Sequence, residues 1–143
     1  MKKMKVMVIN GPGTALLGRQ EIKGSGNDTL NDIDLRVREK AEDYDIKVTF
    51  VRSNYEGEII EAIYRAHEEF DGIILNAGAY AYSSTAIADA INSVGTPVIE
   101  VSTGKEGGIF GKSSILTPFC TGKIYGLGTA VYTLALEALW ELQ

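Results

Sequence analysis

The 143-residue chain predicts an α/β fold: a three-layer α/β/α domain built on a five-stranded parallel sheet. Three observations carry that reading. Short apolar runs alternate with longer stretches of helical periodicity, in the order β-α-β-α-β-α-β-loop-β-α, the pattern of a parallel sheet covered on both faces. The run "GIILN" (72–76) is apolar without alternation, as a strand buried on both faces requires. No linker, repeat or low-complexity tract interrupts the chain, so residues 1–143 read as one domain, long enough for a real core.

The first strand is "KVMVI" (5–9). The start, "MKKMKVMVIN", places lysines before apolar residues as a signal peptide does. The run is too short for one and lacks a small-residue cleavage pattern. "TLNDIDLRVREKAEDY" (29–44) sets Leu30, Ile33, Leu35, Val37 and Ala41 on one helical face, with Asp28 or Thr29 as cap. "IKVTFV" (46–51) is a strand, "GEIIEAIYRAHEEF" (57–70) a helix, and "GIILN" the third strand. "STAIADAINSV" (84–94) is a helix capped by Ser83 or Ser84, and "PVIEV" (97–101) is the fourth strand. "SSILTPF" (113–119) is a weaker, shorter fifth strand. "TAVYTLALEALWELQ" (129–143) closes the chain as a helix with a broad apolar face, after a "GLG" (126–128) that lets the backbone turn.

Right-handed crossovers and five strands favour the flavodoxin-like order 2-1-3-4-5. In such sheets ligands bind beyond the carboxyl ends of the strands, at the switch point between strands 1 and 3. The loop after strand 1 (10–28) runs to about nineteen residues, where two to six is usual. The loops after strands 3 and 4, "NAGAYAYSS" (76–84) and "STGKEGGIFGK" (102–112), reach the same rim. Asn76, Tyr80, Tyr82, Ser83 and Ser84 give the second of these five polar side chains, suited to a pocket mouth.

Composition narrows the ligand. A formal net charge of −5 argues against a nucleic-acid partner, which wants a basic surface. No apolar run approaches the ~20 residues that span a bilayer. One cysteine, Cys120, rules out an internal disulfide, and a cytoplasmic home is expected. The single histidine, His67, sits among charges on a helix, and with one histidine and one cysteine no transition-metal site or Cys–His nucleophile pair is expected. Within this acidic chain, Arg19, Lys23, Lys105 and Lys112 lie on the rim loops and suggest a small anionic ligand. Ser102 and Thr103, with Gly104 behind them, could hold a carboxylate or phosphate. Glu100, near the end of strand 4, would want a partner if half-buried.

Several motifs fail. "GPGTALLG" has Leu16 where a dinucleotide fingerprint needs glycine. "EGGIFGKSS" begins with Glu106 where a P-loop needs glycine, and no helical pattern follows Lys112 directly. A receiver domain needs acids where Asn10 and Asn76 stand.

Five stretches carry a resemblance: "VINGPGTALLGRQEIKG" (8–24), "SNYEGEIIEAI" (53–63), "DGIILNAGAYAYSSTAIADAI" (71–91), "TPVIEVS" (96–102) and "KIYGLGTAVYTLALEAL" (123–139). Over essentially its whole length the chain resembles type II dehydroquinases, the small flavodoxin-like 3-dehydroquinate dehydratases. The resemblance implies an anti elimination of water from a cyclic hydroxy-ketone acid, without cofactor or metal. In that family a tyrosine acidified by an arginine removes a proton beside the ketone. An asparagine-bound water holds the enolate, and a histidine protonates the departing hydroxyl.

Carried over residue by residue, the arginine matches Arg19, the base tyrosine meets Lys23, and the acid histidine meets Tyr82. The asparagine after "NGP" is Gly13 here, Asn76 matches a substrate-binding asparagine, and Glu100 matches the acid's partner carboxylate. The histidine two residues on is Ser102, the carboxylate-binding turn becomes residues 103–105, and the arginine that grips ring hydroxyls aligns near Gly111. The residues expected at the substrate are thus Asn10, Gly13, Asn76, Gly78, Ala79, Glu100, Ser102, Thr103 and Lys112, with Arg19, Lys23 and Tyr82 as catalytic groups.

Replacing histidine by tyrosine moves the acid's reference pKa from about 6.5 to about 10. Lys23 serves as base only if burial or Arg19 lowers its pKa, or else as a charge that acidifies Tyr82. Three readings follow. One is a lyase or isomerase of dehydroquinase descent acting on a small, cyclic, hydroxylated acid. A second is a 3-dehydroquinate dehydratase with rearranged residues, working in aromatic amino-acid synthesis or quinate breakdown. A third is a non-catalytic anion-binding or assembly protein. The resemblance also implies a homo-oligomer, trimers assembling to a dodecamer. Arg19, Asn76 and Tyr82 are expected to share one hollow above the sheet.

Overall fold

A computed structural model describes residues 3–19, 27–104 and 111–143. The order of elements is β1 (Met4–Asn10), α1 (Leu30–Asp43), β2 (Ile46–Arg52), α2 (Glu56–Glu69), β3 (Gly72–Asn76), α3 (Thr85–Ser93), β4 (Val98–Ser102), β5 (Gly122–Tyr125) and α4 (Ala130–Leu142). All strand pairs are parallel, in the order β2-β1-β3-β4-β5 expected from the sequence.

The three layers follow from the two-residue period of a strand. Val6 and Val8 of β1, with Ile74 of β3 and Ile99 and Val101 of β4, pack into a core beneath α1 and α4. The alternate residues Met7, Ile9, Ile73, Leu75 and Val98 pack on the opposite face against α2 and α3. Each such buried side chain stabilises the fold by roughly 1.5–3 kcal/mol. Two faces of one strand set are therefore both apolar, which is why β1 and β3 read as continuous apolar runs. No described helix is long and apolar enough to cross a membrane.

Hydroxyls set the starts of α1 and α3. Thr29 caps α1: its hydroxyl accepts from Asp32 N at 3.1 Å, while the Asp32 carboxylate accepts from Thr29 N at 2.9 Å. Ser84 caps α3, accepting from Ile87 N at 3.0 Å and donating to the Glu56 carboxylate.

The fifth strand differs from expectation. Residues 113–119 form no strand: Thr117–Phe119 is a short 3-10 turn, and β5 is the next segment, "GKIY". Pro118 has no N–H for a sheet ladder and suits the first turn of a helix. Ser114 accepts from Leu116 N at 3.1 Å, bending the chain, and fully buried Leu116 plugs the α2/α3 face. β5 is a four-residue edge strand holding a glycine and a lysine, so it carries little alternation to read.

Candidate functional site

The loops after β1 and β3 lock into each other at the switch point. Gly11 N donates to Asn76 O at 2.7 Å. A Cβ on Gly11 would sit 2.8 Å from Ala77 O, and one on Gly78, whose φ is +61°, would run into Pro12 O. Both positions need glycine because two backbones meet there. The 3-10 turn Gly78–Tyr82 follows and presents Tyr82, half-buried. Two of the polar tips in this stretch hold the scaffold instead: Tyr80 donates to Asn54 O at 2.9 Å, and Ser84 is the α3 cap.

Behind the loops lies a relay on α4. Asn10 and Asn76 are register partners at the ends of β1 and β3. Asn76 Nδ2 donates to the Tyr132 hydroxyl at 2.9 Å, and that hydroxyl donates to Asn10 Oδ1 at 2.5 Å. Asn76 Oδ1 accepts from Gly78 N at 3.1 Å. The Asn76 amide is thus held from both ends and its plane is fixed. Burial pushes the Tyr132 hydroxyl far above the ordinary tyrosine range, opposed by the Asn76 bond and aided by the charge of Asp34, so it remains a donor. Asn10 Nδ2 and Asp34 Oδ1 are buried without a partner among the described residues.

A cavity of about 180 Å³ opens between β3 and β4, lined by Asn76, Gly78, Tyr82, Glu100, Ser102 and Lys123 among others. Glu100 is 3% exposed. Strand alternation points it away from Ile99 and Val101, onto the otherwise apolar α2/α3 face. Its oxygens accept from the Ser114 hydroxyl at 2.6 Å and the Thr117 hydroxyl at 2.5 Å. Lys123 Nζ stands 4.0 Å from Oε2. A buried carboxylate is tolerable only with such partners. Nearby, burial and the Glu100 charge push the Cys120 thiol up to about 12, against a smaller opposing effect of Lys123. A thiol held this firmly protonated is a poor nucleophile.

Of the residues expected at the substrate, Asn76, Gly78, Tyr82, Glu100 and Ser102 line this cavity. Asn10 is buried behind Asn76 and does not line it. Arg19 is exposed midway along the loop after β1 and is not among the lining side chains, so the hollow expected for Arg19, Asn76 and Tyr82 holds only the last two; Gly13, Ala79 and Lys112 are exposed. Thr103 lines a second, larger cavity of about 690 Å³, beside α1 and α4. The cation there, Arg36, grips Asp28 through both nitrogens at 2.6 and 3.0 Å, and Thr129 adds a bond to Asp28 at 2.7 Å. The smaller cavity, where chemically distinct groups converge at strand ends, is the better candidate site. Lys23 and Lys105 lie outside the described residues.

Sequence reasoning missed Lys123, Tyr132, Ser114 and Thr117. Tyr132 hides within the apolar face of the last helix. The unsatisfied demand of Glu100 was a usable signal: a carboxylate on a buried strand calls for donors from elsewhere in the chain.

Comparisons with known proteins identify the family and the fold. The family model for class II dehydroquinase matches residues 4–140. A 3-dehydroquinate dehydratase of Caldicellulosiruptor bescii is 44% identical over 141 residues, covering 96% of this chain and 97% of that one. One from Campylobacter lari is 38% identical, covering 97% and 88%. The crystal structure of a type II dehydroquinase from Butyrivibrio crossotus superposes with a TM-score of 0.90 at 36% identity, covering 96% of this chain and 97% of that one. With a family-model match that runs nearly end to end and a superposition that covers almost the whole chain, the chain belongs to the class II dehydroquinase family.

Proposed function

We propose that the chain is a hydro-lyase that converts 3-dehydroquinate to 3-dehydroshikimate and water. The observation that carries the reading is the near end-to-end match with dehydratases of similar length. In the reaction, a base takes a proton from the carbon beside the ketone. The electron pair passes through an enolate into a new C=C bond, and the bond to the neighbouring hydroxyl breaks. That hydroxyl takes a proton from an acid and leaves as water.

Tyr82, on the cavity wall, is assigned the acid. Asn76, fixed by Gly78 N and Tyr132, and Ser102 are assigned to hold the substrate. The base is assigned to Lys23, with Arg19 on the same loop adding positive charge. The proton that the base gains returns to Tyr82 through solvent to complete the cycle.

Incubation of the purified protein with 3-dehydroquinate, followed by absorbance of the conjugated enone, tests this. Absence of product at high enzyme concentration refutes it. The second reading, a lyase or isomerase acting on a related cyclic acid, is supported by Tyr82 and Gly111 standing where the resemblance expects a histidine and an arginine. Thermal shifts against a panel of hydroxylated carboxylic acids, with turnover assays of each hit, separate the two.

A further inference from the structure

β5 brings this cavity a cation that the rim loops do not. Lys123 is the register partner of Glu100, so the two side chains leave the sheet on the same face. The Lys123 side chain is 7% exposed and its ammonium lies 4.0 Å from Glu100 Oε2, an ion-pair distance beyond hydrogen-bond range. Both Glu100 oxygens already accept hydroxyl bonds, from Ser114 and Thr117. Toward Glu100 the ammonium therefore contributes charge, while the hydroxyls supply the hydrogen bonds.

Asn76, Ser102 and Tyr82 offer amide and hydroxyl groups to the same space. Among the described residues lining it, Lys123 is the one cation and Glu100 the one carboxylate. An acid entering beside Glu100 meets repulsion unless a positive charge stands with it. Half-enclosed surroundings strengthen that requirement, because charges interact more strongly away from water.

We propose that Lys123 receives the carboxylate of a bound acid in this cavity and so sets its preference for anionic over neutral ligands. The proposal rests on reading the cavity as the substrate pocket. Quinate and its methyl ester differ by that one charge, and neither contains the ketone needed for turnover. Titration calorimetry of both ligands against the intact protein, Lys123→Met and Lys123→Arg reads the effect.

The unsubstituted protein is expected to prefer the acid by about tenfold or more. Lys123→Met is expected to bind both within about threefold, and Lys123→Arg to recover the preference. If Lys123 only neutralises Glu100, Lys123→Met changes the melting temperature and leaves the acid-to-ester ratio intact, which overturns the proposal. Should Lys123→Met not melt cooperatively, Lys123→Gln carries the same comparison with a polar side chain. A protein that dehydrates 3-dehydroquinate yet shows no acid preference overturns this inference alone. One that neither turns over 3-dehydroquinate nor binds either probe overturns the proposed function as well.

Discussion

Replacing Tyr132 by phenylalanine removes one oxygen atom and two hydrogen bonds. The side chain is fully buried, and the hydroxyl accepts from Asn76 Nδ2 and donates to Asn10 Oδ1. The ring keeps its packing, so no cavity of note opens. What changes is that an amide hydrogen and an amide oxygen lose their partner in a place water does not reach. Each such orphan costs about 1–3 kcal/mol, so the variant should lose roughly 2–6 kcal/mol of stability. At roughly 2–4 °C per kcal/mol for a domain near this size, the melting temperature falls by about 4–24 °C. Urea unfolding followed by circular dichroism gives the number directly, with an unchanged m-value showing that only stability moved. Because the Asn76 amide loses its brace, kcat/KM for the elimination should fall about tenfold beyond any loss of folded protein. Asn10→Ala measured singly and with Tyr132→Phe should be clearly non-additive, as residues sharing one network are. A loss below about 0.5 kcal/mol, or strict additivity, would show that the relay carries no weight.

Three further outcomes are expected. Gly78→Ala combines a positive φ with a backbone clash at Pro12 O, so it should lower stability by roughly 2–4 kcal/mol in urea titration, while Gly57→Ala, where an added Cβ meets nothing within 4 Å, should stay near the parent protein. The Asp28 carboxyl is held below its ordinary pKa by the Thr129 hydroxyl and then Arg36, so its contribution is present above the unfolded-state pKa, near 4, and fades as pH falls through the lower folded value; the stability gap between parent and Asp28→Asn should narrow on acidification below that point, and a gap that does not narrow contradicts the assignment. Tyr82→Phe should lower kcat by about 10²–10⁴ with KM changed less than about threefold, and an unchanged kcat removes Tyr82 from the role of acid.

Much of the scaffold was legible in the residues because both faces of the central strands are apolar. "KVMVI" and "GIIL" announce buried parallel strands, and the long loops between them announce the rim. β5 was not legible: its four residues hold one glycine and one lysine, and Pro118 lies in the more apolar stretch just before it. At the site, Asn76, Gly78, Tyr82, Glu100 and Ser102 were legible because they terminate strands or follow them directly. Lys123 was not, since its place beside Glu100 depends on the β4–β5 register, and register depends on where β5 starts. Tyr132 was read as part of an apolar face; only its contact with two residues more than fifty positions away gives its hydroxyl a task.

The brace on Asn76 comes from α4, which follows all five strands in the chain. While the chain is being synthesised, β1 and β3 can emerge and pair, yet Asn10 and Asn76 have no shared anchor until Tyr132 leaves the ribosome and α4 docks. A nascent chain cut short before that helix would keep most of its strands and lack a finished floor beneath the substrate. Messages truncated ahead of α4 should therefore yield products that lack both the hydroxyl joining Asn10 to Asn76 and the apolar cover on that face of the sheet.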